Sequence, residues 1–286
     1  MNLRQFQQTE AALKPHFLLF GNPVAHSLSP LMHNKAAEFY GMNVRYHAIN
    51  LAVNELDIVA SHLNREEFRG ANITIPYKQT LLNYPDTLDN VARTFGAINT
   101  IVKEQGILKG YNTDAHGFSV PLKPYADELA GQRAVVFGSG GASKAIVHAL
   151  SLFDMEEIVL ISRNPRNISG YETNGQVRAD SYEAWPAWAE EAVLIVNATP
   201  LGMEPKVSGS PVHEGEIRFL AEKICYDIVY KPLETRFLKQ AKEAGARTIG
   251  GLEMLIHQGS RSFELWTGKP FPLDEVRGLL HEHIRS

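Results

Sequence analysis

The chain of 286 residues has a single cysteine, Cys225, so it can form no internal disulfide and no cysteine-based zinc site. That scarcity fits a reducing compartment. Beside Ile224, Cys225 reads as a small buried apolar residue rather than a reactive thiol. No run of 18 apolar residues occurs, which argues against a membrane-spanning helix. Residues Met1 to Lys14 are polar, with Glu10 where a secretion signal needs an apolar core. A cytoplasmic protein is expected. Excess positive charge is lacking too: 28 Lys and Arg against 32 Asp and Glu leave a formal net charge of -4, without the basic footprint of a nucleic-acid binder. Neither nucleic acid nor a membrane is expected as partner, and no metal site is expected. Low-complexity tracts and fixed-period repeats are missing as well, which sets disorder and solenoid folds aside.

What is present is length enough for two compact domains, each with its own core. From His16 onward, short apolar strands alternate with amphipathic helices, the pattern of an α/β protein with mostly parallel sheets. Strands are expected at Phe17 to Phe20, Tyr46 to Ile49 and Ala71 to Ile75, with a hairpin from Asn99 to Lys103 and Ile107 to Tyr111 turning at Gly106. Ser29 before Pro30 reads as a capped start of a helix running to about Tyr40, ended by Gly41. Another helix is expected from about Asn54 to Leu63. Pro76 is expected to stop the third strand and lead into a further helix whose first turn carries Lys78. A second series begins after Asp114, with strands at Ala134 to Phe137, Ile158 to Ser162, Leu194 to Asn197 and Ile224 to Asp227. Its first helix is expected from Ala142 to about Phe153. The tail after Gly251 is helical, with Leu252, Leu255 and Ile256 at helical spacing and a last helix starting near Asp274.

The strand from Ala134 runs into Gly138-Ser139-Gly140-Gly141-Ala142 and then a helix. A turn of this kind brings backbone N–H groups and a positive helix end onto a pyrophosphate, and glycines are needed because a Cβ would block the approach. Ser143 stands where a third glycine is common. The next strand ends in Ser162-Arg163-Asn164-Pro165-Arg166, where an NAD site usually places an acid. Two guanidinium groups without an acid suit the 2′-phosphate of NADP. Without the glycine turn, Arg163 and Arg166 would read as ordinary solvated loop residues.

In the first half, polar residues collect where strands end: Ser27, Ser29, Asn72, Thr74, Lys78, Asn99, Asn112 and Asp114. Ligands bind at strand ends in open parallel sheets. Ser27 and Ser29 precede a helix whose dipole favours a carboxylate, although Ser29 could be no more than its cap. Lys78 could be a solvated lysine and Asp114 a helix cap, but both readings must hold for this edge to carry no chemistry. A lysine ammonium held by a carboxylate is a competent proton donor to the alkoxide formed when a ketone receives hydride. Neutral Asn72, Thr74, Asn99 and Gln258 can read hydroxyl groups without adding charge.

With these segments in hand, the chain resembles the shikimate dehydrogenases. Gly21 to Pro30 is similar to that family's carboxylate motif and Asn72 to Lys78 to its N-x-T-x-P-x-K segment. Gly96 to Thr100 and Gly110 to Asp114 resemble its G-A-x-N-T and G-x-N-T-D segments, and Gly138 to Ala142 its G-x-G-G-A turn. Asn197 to Pro200, Tyr226 to Tyr230 and Gly251 to Gln258 complete the series. The resemblance implies reversible NADPH-linked reduction of 3-dehydroshikimate to shikimate in aromatic amino-acid biosynthesis, with Lys78 and Asp114 as the catalytic pair. It assigns the carboxylate region to Ser27, Ser29 and Tyr230, and the ring hydroxyls to Thr74, Asn99, Asp114 and Gln258. Gly138, Ser139, Gly140, Gly141, Ala142, Ser162, Arg163, Asn164, Arg166, Thr199, Ile228 and Gly251 would hold NADP, with Thr199, Ile228 and Gly251 at the nicotinamide end. It further implies a substrate domain of residues 1–114 joined by the tail 252–286, a Rossmann-type domain of residues 115–251, a cleft between them, and a monomer or homodimer. Two departures stand out. The family's N-R-T at the second strand reads Ser162-Arg163-Asn164, and its usual asparagine after Tyr230 is Lys231. A quinate/shikimate dehydrogenase using NAD or NADP, and a shikimate-pathway binding or sensor protein without turnover, are the competing readings.

Overall fold

Apolar on both faces, the run His16–Gly21 forms a central strand, β1, in a computed structural model that describes residues 1–168, 171 and 176–285. The chain divides into two units, residues 1–113 with 259–286, and residues 114–258.

The first unit is built on a six-stranded mixed sheet. After a short helix α1 (Leu3–Gln7) come β1, α2 (Ser29–Phe39), β2 (Arg45–Asn50), α3 (Leu56–Leu63) and β3 (Phe68–Ile73). Then follow β4 (Thr87–Leu88), α4 (Asn90–Phe95), β5 (Thr100–Glu104) and β6 (Ile107–Tyr111). The strand order is β2-β1-β3-β5-β6-β4. β1 pairs in parallel with β2 and β3, whereas β5 and β6 form the expected antiparallel hairpin. Gln105 and Gly106 turn it with positive φ, a geometry that suits glycine at the second position. Leu18, Phe20, Ile49, Ala71, Ile73 and Ile101 pack one face of the sheet into a core that also takes Leu3 and Phe6 from α1.

Two local expectations fail here. No helix follows Pro76; residues 78–83 make successive turns, because Tyr77 and Leu81 are both drawn into the core, with the Tyr77 hydroxyl donating to the Leu51 carbonyl at 2.5 Å. Ser29 is not a cap. It is the first residue of α2, Leu28 holds the cap position without a side-chain bond, and the Ser27 hydroxyl accepts from the Ser29 amide instead.

The second unit starts with α5 (Asp114–Ser119) and α6 (Ala126–Leu129) and contains β7 (Arg133–Phe137), α7 (Gly141–Ser151), β8 (Glu157–Ile161) and β9 (Val177–Asp180). It continues through α8 (Trp185–Glu190), β10 (Ala192–Asn197), β11 (Ile224–Asp227), α9 (Arg236–Glu243) and β12 (Arg247–Ile249). All six strands are parallel, in the order β12-β11-β10-β7-β8-β9, a doubly wound sheet whose order reverses between β7 and β10. Phe137, Val159, Ile195, Trp185 and Phe237 fill one of its faces. Cys225 lies in this core with no exposed surface, and burial pushes its thiol up to about 12, so it is inert packing. Helix α10 (Gly251–Thr267) crosses the division at Gln258, and α11 (Leu273–Arg285) ends the chain. Among the described residues no helix is long and apolar enough to cross a membrane. The expected architecture, two α/β parts with mostly parallel sheets, is found.

Candidate active site

In the first unit, β1 and β3 end side by side, and the residues just past them converge. A Cβ at Gly21 would collide with the Thr74 methyl group and lie 2.6 Å from a Val24 methyl, so only glycine allows this approach. The Thr74 amide donates to the Phe20 carbonyl at 2.8 Å, and the Lys78 carbonyl accepts from the Ile98 amide at 2.9 Å, which ties the lysine segment to the one carrying Asn99. Ser27 donates to the Ser29 hydroxyl at 3.2 Å and accepts from the Ser29 amide at the same distance.

Behind the serines runs a buried polar network. Tyr46, on β2, has its hydroxyl beside Ser29 and donates to Asn72 Oδ1 at 2.9 Å. Asn72 Nδ2 faces the Asn99 carbonyl (3.1 Å), the Thr100 hydroxyl (3.1 Å) and the Ser262 hydroxyl (3.0 Å). Ser262, on α10, also meets Thr100 at 2.8 Å. Asn99 Oδ1 accepts from the Thr113 amide at 2.8 Å and its Nδ2 donates to the Thr113 hydroxyl at 2.9 Å, fixing the residue immediately before Asp114. Buried amides of this kind are satisfied inside the fold. Asn72, expected to read a ligand, therefore faces inward: its oxygen and both its hydrogens are taken up within the unit. Asn112 is turned inward as well, donating to the Ala97 carbonyl at 3.1 Å. His33 stacks on Tyr46 with ring centroids 4.6 Å apart and is almost completely buried.

In the second unit, the turn after β7 has the geometry the glycines foretell. Gly138 has φ +104°, in the range that favours glycine, and Cβ atoms at Gly140 and Gly141 would point into open space. Gly140 has no side chain to cap α7, and in its first turn the Ser143 N–H bonds back to the Gly140 carbonyl at 3.1 Å, a helix start of the kind that suits an anion. Ser143 does not line that space. Its hydroxyl donates to the Gly138 carbonyl at 2.9 Å and closes the turn, which accounts for a serine in the place of a third glycine. At the end of β8 the Ser162 hydroxyl lies 3.1 Å from that of Ser139 in the turn and accepts from the Asn164 amide at 3.3 Å. Arg163, Asn164 and Arg166 are exposed beyond it, and Ser162 itself is not acidic. An uncapped glycine-flanked helix start, with hydroxyls and guanidinium groups in place of an acid, fits a dinucleotide bearing an extra phosphate.

Past β10, Asn197 Oδ1 accepts from the Thr199 hydroxyl (2.6 Å) and amide (3.1 Å). Past β11, Ile228 bonds back to the Asn197 carbonyl at 3.1 Å. A Cβ at Gly251 would run into the Ile228 carbonyl and come within 2.7 Å of the Val229 carbonyl carbon, so Thr199, Ile228 and Gly251 are brought together. Burial raises the Tyr230 hydroxyl above its ordinary value. Helix α5, which starts at Asp114, packs on α10 at Gly117, where a Cβ would lie 2.7 Å from the Gln258 Cβ. Asp114 and Gln258 thus stand on two helices in close contact, and Gln258 Nε2 donates to the Leu255 carbonyl at 2.9 Å.

A shikimate dehydrogenase (NADP(+)) of Moorella thermoacetica is 40% identical over 274 residues, covering 92% of each chain. The chain belongs to the shikimate dehydrogenase family. The family's substrate binding domain matches residues 19–101 and its C-terminal domain residues 251–281. The structure of shikimate 5-dehydrogenase from Thermus thermophilus, in complex with NADP(H) and shikimate, superposes with a TM-score of 0.82 at 36% identity, covering 94% of this chain and 99% of that one. A quinate dehydrogenase from Corynebacterium glutamicum in complex with NAD superposes with a TM-score of 0.85 at 27% identity over the same shares. Within this shikimate dehydrogenase frame, Tyr46 and Ser262 are supporting residues that the motifs do not mark, and Thr100, the last residue of the Gly96–Thr100 segment, joins them in support. A serine three residues after Gly259 and seven after Leu255, at helical spacing on the buried side of α10, is the signal that could have found Ser262.

Proposed function

We propose that the chain catalyses the reversible NADPH-linked reduction of 3-dehydroshikimate to shikimate. The observation that carries this reading is the Ser27–Ser29 hydroxyl pair at the start of α2, past the end of β1, where Gly21 packs directly against Thr74 from the end of β3. Paired hydroxyls at a helix start suit a carboxylate. A threonine at the strand end and a lysine four residues further along suit a hydroxylated ring carrying a ketone. The relatives' names supply the identity of the acid and of the cofactor.

In this reading Ser27, Ser29 and Tyr230 hold the substrate carboxylate, and Thr74, Asn99, Asp114 and Gln258 orient the ring. When bound through Gly138 to Ala142, Ser162, Arg163, Asn164 and Arg166, with Thr199, Ile228 and Gly251 at the other end, NADPH supplies the hydride. Lys78 Nζ delivers the proton to the new hydroxyl oxygen, and Asp114 keeps the ammonium charged and aimed. In the oxidative direction the same pair receives the proton. Residues 1–113 with the returning tail supply most of the substrate groups, and residues 114–258 supply the dinucleotide groups together with Asp114, Tyr230 and Gln258.

The test is spectrophotometric. Purified protein is given 3-dehydroshikimate with NADPH or NADH, and shikimate or quinate with the oxidised cofactors. Consumption of NADPH with 3-dehydroshikimate, faster than any other pairing, is expected. Loss of neither reduced cofactor would refute turnover, and comparable rates on quinate would move the substrate to the broader quinate/shikimate class.

A further inference from the structure

Asp227, at the end of β11, has no exposed surface. Its carboxylate accepts from three neutral donors: Asn197 Nδ2 at 3.1 Å, the Val229 amide at 2.9 Å and the Thr235 hydroxyl at 2.6 Å. No lysine, arginine or histidine among the described residues pairs with it. Burial pushes its pKa up to about 6 against the pull of these donors, so it is charged at neutral pH. A buried negative charge without a counter-charge is costly to a fold, and carboxyls perturbed in this way cluster at functional sites.

Its position suggests the task. Ligands of doubly wound sheets lie outside the strand ends where the order reverses, here between β7 and β10. With the β7 turn and the β8 end holding the phosphates and adenosine, the other half of a dinucleotide has only the β10 and β11 side to extend over. That is the side where Asp227 is buried. Through Asn197 the same carboxylate is one hydrogen bond from the group that holds Thr199.

We propose that the Asp227 carboxylate favours the oxidised, positively charged nicotinamide over the reduced, neutral one, and so sets the ratio in which the protein binds NADP+ and NADPH. This inference rests on the cofactor placement proposed above. Attraction between unit charges across a protein medium changes that ratio by about five- to twentyfold.

Equilibrium titration of wild type, Asp227→Asn and Thr235→Val with NADP+ and with NADPH tests it. Asparagine keeps the shape and removes the charge, whereas Thr235→Val removes a neutral donor, which raises the carboxyl pKa, so all three proteins are titrated at pH 9, where this variant keeps the charge. The expected result is a weakening of NADP+ relative to NADPH by about five- to twentyfold in Asp227→Asn, and an unchanged ratio in Thr235→Val. Equal weakening of both cofactors in Asp227→Asn would reduce Asp227 to a structural cross-link and overturn the proposal. Failure of wild type to bind either cofactor would refute the underlying cofactor reading instead. If Asp227→Asn does not fold, the wild-type ratio measured from pH 8 to pH 5 decides. The 2′-phosphate is common to both cofactors and cancels. The groups facing Asp227 from β10 and the start of α9, Asn197 and Thr235, do not titrate. On its own strand Tyr226 and Cys225 keep their protons through burial, with Glu253 of α10 beside Tyr226. Glu234 and Arg236, flanking Thr235, are paired with Lys242 and Glu214. A preference for NADP+ that fades below about pH 6 is expected, and a flat ratio would overturn the proposal.

Discussion

Acidification should destabilise the first unit through His33, and the size of the loss follows from its surroundings. The ring is 2% exposed, stacked on Tyr46 and close to Phe263, Trp266 and Phe271. Neither ring nitrogen has a hydrogen-bond partner among the described residues. Burial therefore lowers its pKa from 6.5 to about 3, and Asn72 nearby offsets little of that. A histidine with a lowered folded pKa contributes its full stability above the unfolded value and loses it as the pH falls below 6.5. At pH 5 the unfolded ring is charged and the folded one is not. The deficit is about 1.4 kcal/mol for each pH unit below 6.5, or about 2 kcal/mol at pH 5. His33→Leu removes the titration and keeps an apolar filler. Urea unfolding of both proteins at pH 7 and pH 5, followed by circular dichroism, measures the difference. Wild type should lose about 2 kcal/mol more than the variant between the two conditions, a relative midpoint shift of about 0.7–1 M urea. The same pH dependence in both proteins would refute the reasoning.

Lys78→Ala should lower kcat by about 10²–10⁴-fold while largely sparing substrate affinity, as steady-state kinetics will show; retained turnover would remove Lys78 as proton donor. Gly251→Ala drives a methyl into the Ile228 carbonyl, which cannot rotate away as a side chain would. It should cost about 1–3 kcal/mol in stability, read by urea unfolding, and, by displacing the residues around Thr199, lower kcat/KM by up to about 10²-fold. Arg163→Ala should raise KM for NADPH about tenfold or more, the worth of a charge-assisted bond, and leave KM for NADH nearly unchanged; an equal rise for both would place Arg163 away from the 2′-phosphate.

The interior strands are legible because burial on both faces writes itself as an apolar run: Phe17 to Phe20, Ala134 to Phe137 and Ile158 to Ile161 each do so. The edge strands of the second sheet leave no such mark. β9 reads Val177-Arg178-Ala179-Asp180 and β12 only Arg247-Thr248-Ile249, short and charged as edges tend to be, and neither is foreseen. The turns after Pro76 are missed because Tyr77 and Leu81 answer to the core rather than to helix propensity. In the site the same division holds. The serine pair and the glycine turn are local patterns and can be read directly. Tyr46 and Ser262 reach Asn72 from 26 and 190 residues away, and nothing in their own neighbourhoods announces the meeting.

The network behind Ser27 and Ser29 has a direction. The Asn99 carbonyl can only accept, so Asn72 presents its NH₂ there and its oxygen to Tyr46, and Tyr46 must spend its proton on Asn72. Ser29 then faces a lone pair on Tyr46, and Ser27 gives its proton to Ser29. Every hydroxyl hydrogen in the row points inward. A ligand that accepts hydrogen bonds must first turn one of them outward, exchanging an internal bond for its own. A neutral acceptor gains almost nothing by the exchange, since both bonds are worth about 1 kcal/mol, whereas a carboxylate, whose bonds are worth about 1.5–3 kcal/mol, comes out ahead. The serine pair thereby discriminates by charge although its own groups are neutral.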